Sequence, residues 1–357
     1  MIKYEIKKNI HISFILLFAF VIVLEFISIQ MGTSSIDMQD QDEKYYLEYT
    51  KKWNGVLTKD KEDEINSEKE YIDATISISD EKKDDYLKNK ITKEEYDKYL
   101  EELSYCRYRK EAFEKFYEDY EYVKMEGNKG RTKAKPEIFY KDYWKIALSP
   151  ESFDYFAVIL MVFFSISIGF IEKDSFMTLI LYSSEKGRYD ILKNKLKTGG
   201  IIVGIMALII SMEKIIIYYK IGYFPNATAS ISSLDYFSGT CLSLPIWGIV
   251  FLAVVINVAA HVIISKILIL LAYLISKKMT EIVVVVVGFF GLETIKNLMP
   301  VVYAYMPGSI LNVFNIFRYG TKGGNIFVQI LLIASVVVFY VIIKETLKII
   351  SARKLKF

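Results

Sequence analysis

Six apolar stretches, each close to the 20 residues a helix needs to cross a bilayer core of about 30 Å, dominate this chain and restrict what it can become. They lie at about Ile10–Ile29, Phe153–Ile171, Gly199–Tyr219, within Leu242–Ile275, at Glu281–Met299 and at Ile326–Ile343. The fourth is too long for one straight crossing, and Ser265-Lys266 sits inside it. A long tilted helix or one broken near Lys266 both keep the parity of six. The expected fold is all-α: a polytopic membrane protein with six transmembrane helices.

Short-loop charge sets the orientation, because Lys and Arg favour the cytosolic side. Lys3, Lys7 and Lys8 precede the first stretch, and Lys173, Lys186, Arg188, Lys193, Lys195 and Lys197 fall between the second and third. Lys277 and Lys278 follow the fourth, and Lys344, Lys348, Arg353, Lys354 and Lys356 follow the sixth, whereas 222–238 has no Lys or Arg. Every basic cluster falls on one face if both termini are cytosolic. Residues 32–150 then lie outside the cell, as long domains translocate largely regardless of charge. A cleaved leader over residues 1–31 is the competing reading, and "SIQMGTSS" lacks a small-x-small cleavage site. Met1–Ile10, where Lys and Glu mix with Ile and Tyr, suits an interfacial segment leading into the first span.

The chain is 53% apolar and yet 24% charged, which calls for a large aqueous part beside the membrane part. Residues 32–150 carry 29 acids against 23 Lys and Arg, so the net charge of +3 conceals an acidic region and a basic remainder. Nothing in that balance calls for nucleic acid. From Val56 to Glu126 there is neither Gly nor Pro. Thr92 with Glu95 forms a capping box. Tyr96, Tyr99, Leu103, Cys106, Lys110, Phe113, Tyr117 and Tyr120 then recur at steps of three and four, the pattern of a coiled-coil seam. Ile65, Ile72, Ile76 and Tyr86 form a weaker one. The spacing predicts two antiparallel helices joined near Asn89–Ile91, with "DATISISD" as an interruption of the first. Glu126–Pro136 reads as a basic loop, and Tyr140, Tyr143 and Trp144 as an aromatic belt at the membrane surface. The domains are thus 1–31, 32–150 as an extracellular helical-hairpin domain, and 151–357 with a cytosolic segment at 172–197.

That segment, "FIEKDSFMTLILYSSEKGRYDILKNKLKTGG", places Glu172 at its start, a Ser184–Gly187–Arg188 turn, then Ile191 and Lys195. It resembles the coupling segment of type-2 permeases of ATP-binding-cassette exporters. The layout "ITKEEYDKYLEEL…R…AFEKFYEDYEYV" after the first span is similar to an insert in a subgroup of these permeases from low-GC Gram-positive bacteria. The resemblance implies a bacterial cell-membrane permease with two kinds of partner, a separate ATPase subunit and a second permease chain. It also implies an amphiphilic or hydrophobic substrate such as a peptide antibiotic or lipid, and coupling through Glu172, Ser184, Gly187, Arg188, Ile191 and Lys195. A receptor or transducer that grips an extracellular peptide without transporting it is the alternative.

Catalytic chemistry has no foothold in the sequence. No phosphate-cradling loop ends in Gly-Lys-Ser/Thr, so ATP hydrolysis belongs elsewhere. Cys106 and Cys241 with His11 and His261 make no familiar metal pattern, and no catalytic residue or cofactor is expected. "GTKGGN" at 320–325 reads as an outer turn, and "NAT" at 226–228 as a chance glycosylation acceptor. Charges at bilayer depth face protein or water. Glu25, Asn257 and His261 are therefore candidates for a translocation cavity, and Glu213, Lys214, Glu293 and Lys296 are expected near the outer surface, held by snorkelling or by structural pairing.

Overall fold

The computed structural model describes Lys7, Ile10, residues 12–33, 40–130, 134–148, 155–174, 185–220, 224–240, 244–275, 277–299 and parts of 341–349. It is mostly helical. The expected sixth span, the 320–325 turn and most of the N-terminal interfacial segment lie outside the described residues. The chain divides into two compact units: Met1–Gly32, Ala147–Tyr223 and Gly248–Phe357 form one, and Thr33–Ile146 with Phe224–Trp247 form the other.

The first unit holds α1 (Ile12–Thr33), then α7 (Tyr155–Asp174), α8 (Glu185–Lys220), α9 (Ile246–Leu274) and α10 (Lys278–Leu298). Among the described residues three helices are long and apolar enough to cross a membrane, within α1, α8 and α9, and Ala157–Ile171 of α7 is a shorter apolar helix. This is a membrane protein. Its outward faces are correspondingly greasy: Leu16, Phe20 and Val23 on α1 and Phe251 and Val255 on α9 are exposed. Because lipid is as apolar as leucine, such helices associate through close packing and polar contacts. Small residues supply the approach here. A Cβ on Gly169 would lie 2.2 Å from the Ala272 side chain, and one on Gly199 would lie 2.4 Å from Ile269. Gly200 and Gly204, one turn apart on α8, face Lys266 and Val262 of α9. Ser165 Oγ donates to Ser265 Oγ at 2.8 Å in a buried bond between α7 and α9. With the Lys266 stem laid against Gly200, α9 runs unbroken for 29 residues, about 44 Å at 1.5 Å per residue. The long continuous helix, not the broken one, resolves that expectation.

The second unit is organised by α5 (Lys93–Lys129), 37 residues long and so about 55 Å at 1.5 Å per residue. On it pack α2 (Gln41–Lys52), α3 (Lys59–Ser77) and α4 (Ser79–Leu87). The capping box is in place: Glu95 N donates to Thr92 Oγ1 at 3.2 Å and Thr92 N to the Glu95 carboxylate at 2.8 Å. Gly130 closes the helix in a left-handed conformation, φ +56°, where a Cβ would cost energy. The first helix does break, at Ile78 between α3 and α4, and the connection turns through Asn89 at φ +53°.

Tyr99, Leu103, Cys106, Phe113 and Tyr120 of the expected seam are buried, as are Ile65 and Ile72 opposite. Ala112, Phe116, Asp119, Val123 and Glu126 are buried as well. The face is wider than a two-helix seam requires because α2 occupies part of it. There Trp53 stacks on Phe116 with ring centroids 5.0 Å apart, and Tyr49 meets Phe113 edge-on at 5.1 Å. Such pairs add about 0.5–1.5 kcal/mol beyond area burial. A two-residue antiparallel pairing joins β1 (Gly55–Val56) to β2 (Glu137–Ile138). The short α6 (Asp142–Ala147) follows.

Tyr140, Tyr143 and Trp144 correct the sequence expectation. All three are buried in this unit, and Trp144 Nε1 donates to Pro225 O at 2.9 Å. They are core side chains, not a belt at a membrane surface. Cys106 is a buried free thiol.

Candidate functional site

The coupling segment is only partly described. Glu172 lies in the last turn of α7, with its side chain undescribed, and Ser184 falls outside the described residues. Gly187 and Arg188 lie within the first turn of α8, which opens at Glu185, so the expected Gly-Arg turn is helical. The N–H groups of a first turn lack intrahelical partners, so a glycine at that point sacrifices less than one at mid-helix. Ile191 is half-buried. Lys195 is fully buried, and its Nζ donates to Ile168 O of α7 at 2.7 Å. Its ammonium therefore points into the helix pair and is not displayed on a docking face. α8 joins the charged stretch 185–197 to the apolar stretch 199–219 without interruption.

The intramembrane candidates gather around one stretch of α8. Glu25, 4% exposed, lies 3.6 Å from Lys214 Nζ. Asn257 Nδ2 approaches Ser211 Oγ at 3.4 Å, three residues earlier on the same helix. His261 is buried, with Nδ1 2.8 Å from Asn257 O. Lys214 thus answers a buried carboxylate, the structural pairing that is one of the two readings the sequence leaves for its charge. Glu25 and Asn257 act as interhelical polar contacts, whereas His261 bonds back to its own helix one turn earlier. None of them lines the groove of about 770 Å³ formed by α1 and α8, whose walls include Ile22, Phe26, Leu208, Met212 and Ile216. The side chains of Glu293 and Lys296 are outside the described residues.

Among the described residues the richest electrostatic cluster lies in the second unit. Tyr46 OH donates to Asp119 Oδ2 at 2.5 Å, and the fully buried Lys141 stands 3.1 Å from Asp119 Oδ1. Lys115 bridges Glu43 at 2.9 Å and Asp142 at 2.6 Å. Tyr140 donates to Glu43. Lys145 pairs with Asp142 at 3.6 Å and Asp235 at 3.8 Å. Burial pushes the Lys141 ammonium below its ordinary value, with Asp119 opposing the shift. Burial would lower Lys115 too, but Asp142 and Glu43 outweigh it and leave the group raised. Burial, reinforced by Asp119 for Tyr46 and by Glu43 for Tyr140, drives both phenols well above the usual range. The one sequence signal was spacing: Ala112, Asp119 and Glu126 recur every seven residues on the buried face of α5.

This cluster and its surroundings tie the 224–247 segment to the helices. Tyr122 OH meets the carbonyl oxygens of Ser232 and Leu234 at 2.9 and 3.1 Å. Glu137 N donates to Ser233 Oγ at 2.9 Å. The Asn226 side chain donates to Asn54 at 2.7 Å and to Glu137 at 3.3 Å, so the amide of the "NAT" pattern is engaged within the fold. No group of His, Cys, Asp and Glu able to hold a metal ion occurs among the described residues. No family model matches the chain, no curated protein matches it and no solved structure matches its fold.

Proposed function

We propose that the chain is the membrane-spanning permease subunit of an ATP-binding-cassette exporter in a bacterial cell membrane. It has six spans, cytosolic termini and an outer domain built from 33–146 and 224–247. It works with a second permease chain and a separate ATPase, and it moves an amphiphilic or hydrophobic substrate. One observation carries the reading. α8 is a continuous 36-residue helix joining the charged stretch to the apolar one, and Lys195 fixes it to the end of α7. A displacement imposed near Arg188 reaches mid-span without an intervening hinge. Nucleotide drives such a device only by binding two states of it with different affinity.

The test is Arg188→Glu in the full complex. ATPase co-purification or substrate-stimulated hydrolysis falls, while membrane insertion is unchanged. Full retention of both removes the coupling role.

A receptor that senses an extracellular peptide is the second reading, favoured by the outer unit having an aromatic core of its own. Purified complex in sealed vesicles separates the two. ATP-dependent movement of a labelled amphiphile supports export, and peptide-stimulated hydrolysis without movement supports sensing.

A further inference from the structure

The groove between α1 and α8 has a polarity that matches one leaflet of a bilayer. Ile22 and Phe26 of α1 and Leu208, Ile209, Met212, Ile216 and Ile217 of α8 make its walls, and Gln30 and Lys220 close one end. Glu25 lies 3.6 Å from Lys214, and with α1 and α8 running in the same direction, as in the proposed six-span topology on which this rests, Gln30 and Lys220 come to about the same level. From Leu208 to Lys220 the helix rises about 18 Å at 1.5 Å per residue. That is close to half of a hydrocarbon core of about 30 Å. Phe26, Leu208, Ile209, Met212 and Ile216 are exposed, so the trough opens sideways. Among the described residues its one carboxylate, Glu213, lies in the wall about 10 Å short of Lys220 along the axis. The mouth itself therefore carries a cation and an amide.

We propose that this groove is a binding site for one acyl chain of an anionic bilayer phospholipid, with Lys220 on its phosphate head. Unbranched methylenes fill a trough walled by Leu, Ile, Met and Phe side chains, and the cation at the rim sits where lipid phosphates lie. A lysine at that depth extends its ammonium to the headgroups while its stem covers apolar surface. The site depends on α1 and α8 lying in a membrane and on their running in the same direction, not on whether the chain exports or senses.

The experiment places the full-length protein in phosphatidylcholine vesicles containing a trace of phosphatidylglycerol with a photoactivatable acyl chain. Adducts are mapped by mass spectrometry. They concentrate on the 208–217 and 22–26 segments, at the expense of Phe251, which is more exposed than any of the groove's apolar side chains, and of the comparably exposed Val255, both on α9. Unlabelled phosphatidylglycerol competes about fivefold better than phosphatidylcholine, the discrimination one lysine near a membrane surface supplies. Lys220→Gln abolishes that preference but leaves adducts in the groove, and Met212→Trp fills the trough and removes them. Adducts spread evenly over α1, α8 and α9 mean ordinary boundary lipid and overturn the proposal. So does a preference unchanged in Lys220→Gln. Crosslinking between two copies through Met212→Cys assigns the groove to a second chain and overturns it equally.

Discussion

Lys141 and Asp119 form a buried ion pair at 3.1 Å, and Tyr46 donates to the other oxygen of the same carboxylate at 2.5 Å. The three residues come from the segment before α6, from α5 and from α2, so one carboxylate holds three parts of the second unit together. Removing one member strands the others in a dry site, which costs far more than the intact pair contributes.

Asp119→Ala is accordingly expected to lower the stability of this unit by about 3–5 kcal/mol, the cost of leaving a buried charge without its partner. The double variant Asp119→Leu with Lys141→Met recovers a large part of the loss, since both charges are gone. Thermal unfolding of the full-length protein, followed by Trp53 and Trp144 fluorescence, measures both. A double variant no more stable than the single one would mean that the pair is not the source of the loss.

Alkaline pH acts on the same cluster. Burial first, then neighbouring carboxylates, raises Tyr46, Tyr122 and Tyr140. Carboxylates outweigh burial to raise Lys115 and Lys145. For each, the unfolded chain releases its proton first, beginning near the ordinary value of about 10. The folded state then holds more protons, and stability falls as pH rises. Lys141 has the opposite sign, because its folded value is lowered, but it is one group against five. The melting temperature is expected to fall more steeply from pH 9 to 11 than from pH 7 to 9, and Tyr140→Phe should flatten the steep limb. A flat profile to pH 11 would contradict the assignment.

What could be read from the sequence followed from periodicity and local chemistry. The Thr92–Glu95 cap, the break at Ile78, the buried Tyr99, Leu103, Cys106, Phe113 and Tyr120 of α5 and the three long apolar helices are all local patterns. Three things were not local. α2 hid because its buried positions are Tyr46, Tyr49 and Trp53 set among charges, which read as polar helix surface. The 224–247 segment has no helical period. It folds through two 3-10 turns, Ile231–Ser233 and Asp235–Phe237, and through bonds to residues about 100 positions away, such as Tyr122. The burial of Asp119 depends on Lys141, distant in sequence. In the site, the helical start of α8 overrode a Gly-Arg pair that suggests a turn, and Lys195 turned inward onto the Ile168 carbonyl, a contact between residues 27 positions apart that no local pattern announces.

The glycines of the first unit give a steric prediction. Gly169→Leu places side-chain atoms where Ala272 already stands, because even a Cβ would come within 2.2 Å. Overpacking typically costs about 1–3 kcal/mol and more where backbone must move. Here the contact is with the first atom of a side chain, which cannot swing aside. The variant is expected to reduce the yield of monodisperse protein in detergent, whereas Gly288→Leu, which meets nothing within 4 Å, should not. Equal yields would mean that α7 and α9 do not approach as closely as described.

Topology is the broadest prediction, and it rests on the bias of the short loops alone. In a background with Cys106→Ser and Cys241→Ser, single cysteines at Asn128 and at Ser184 should label from opposite faces of the membrane. Asn128 lies in the last turn of α5 and is exposed, so a negative result there is not a matter of burial. An impermeant maleimide on intact cells is expected to modify Asn128→Cys and to reach Ser184→Cys only after permeabilisation. If both react on intact cells, the number of crossings between them is even. The six-span arrangement would then fail, and with it the placement of 185–197 beside a cytosolic ATPase. If neither reacts, the second unit faces inward, and a sensor of extracellular peptides is excluded together with the exporter drawn here.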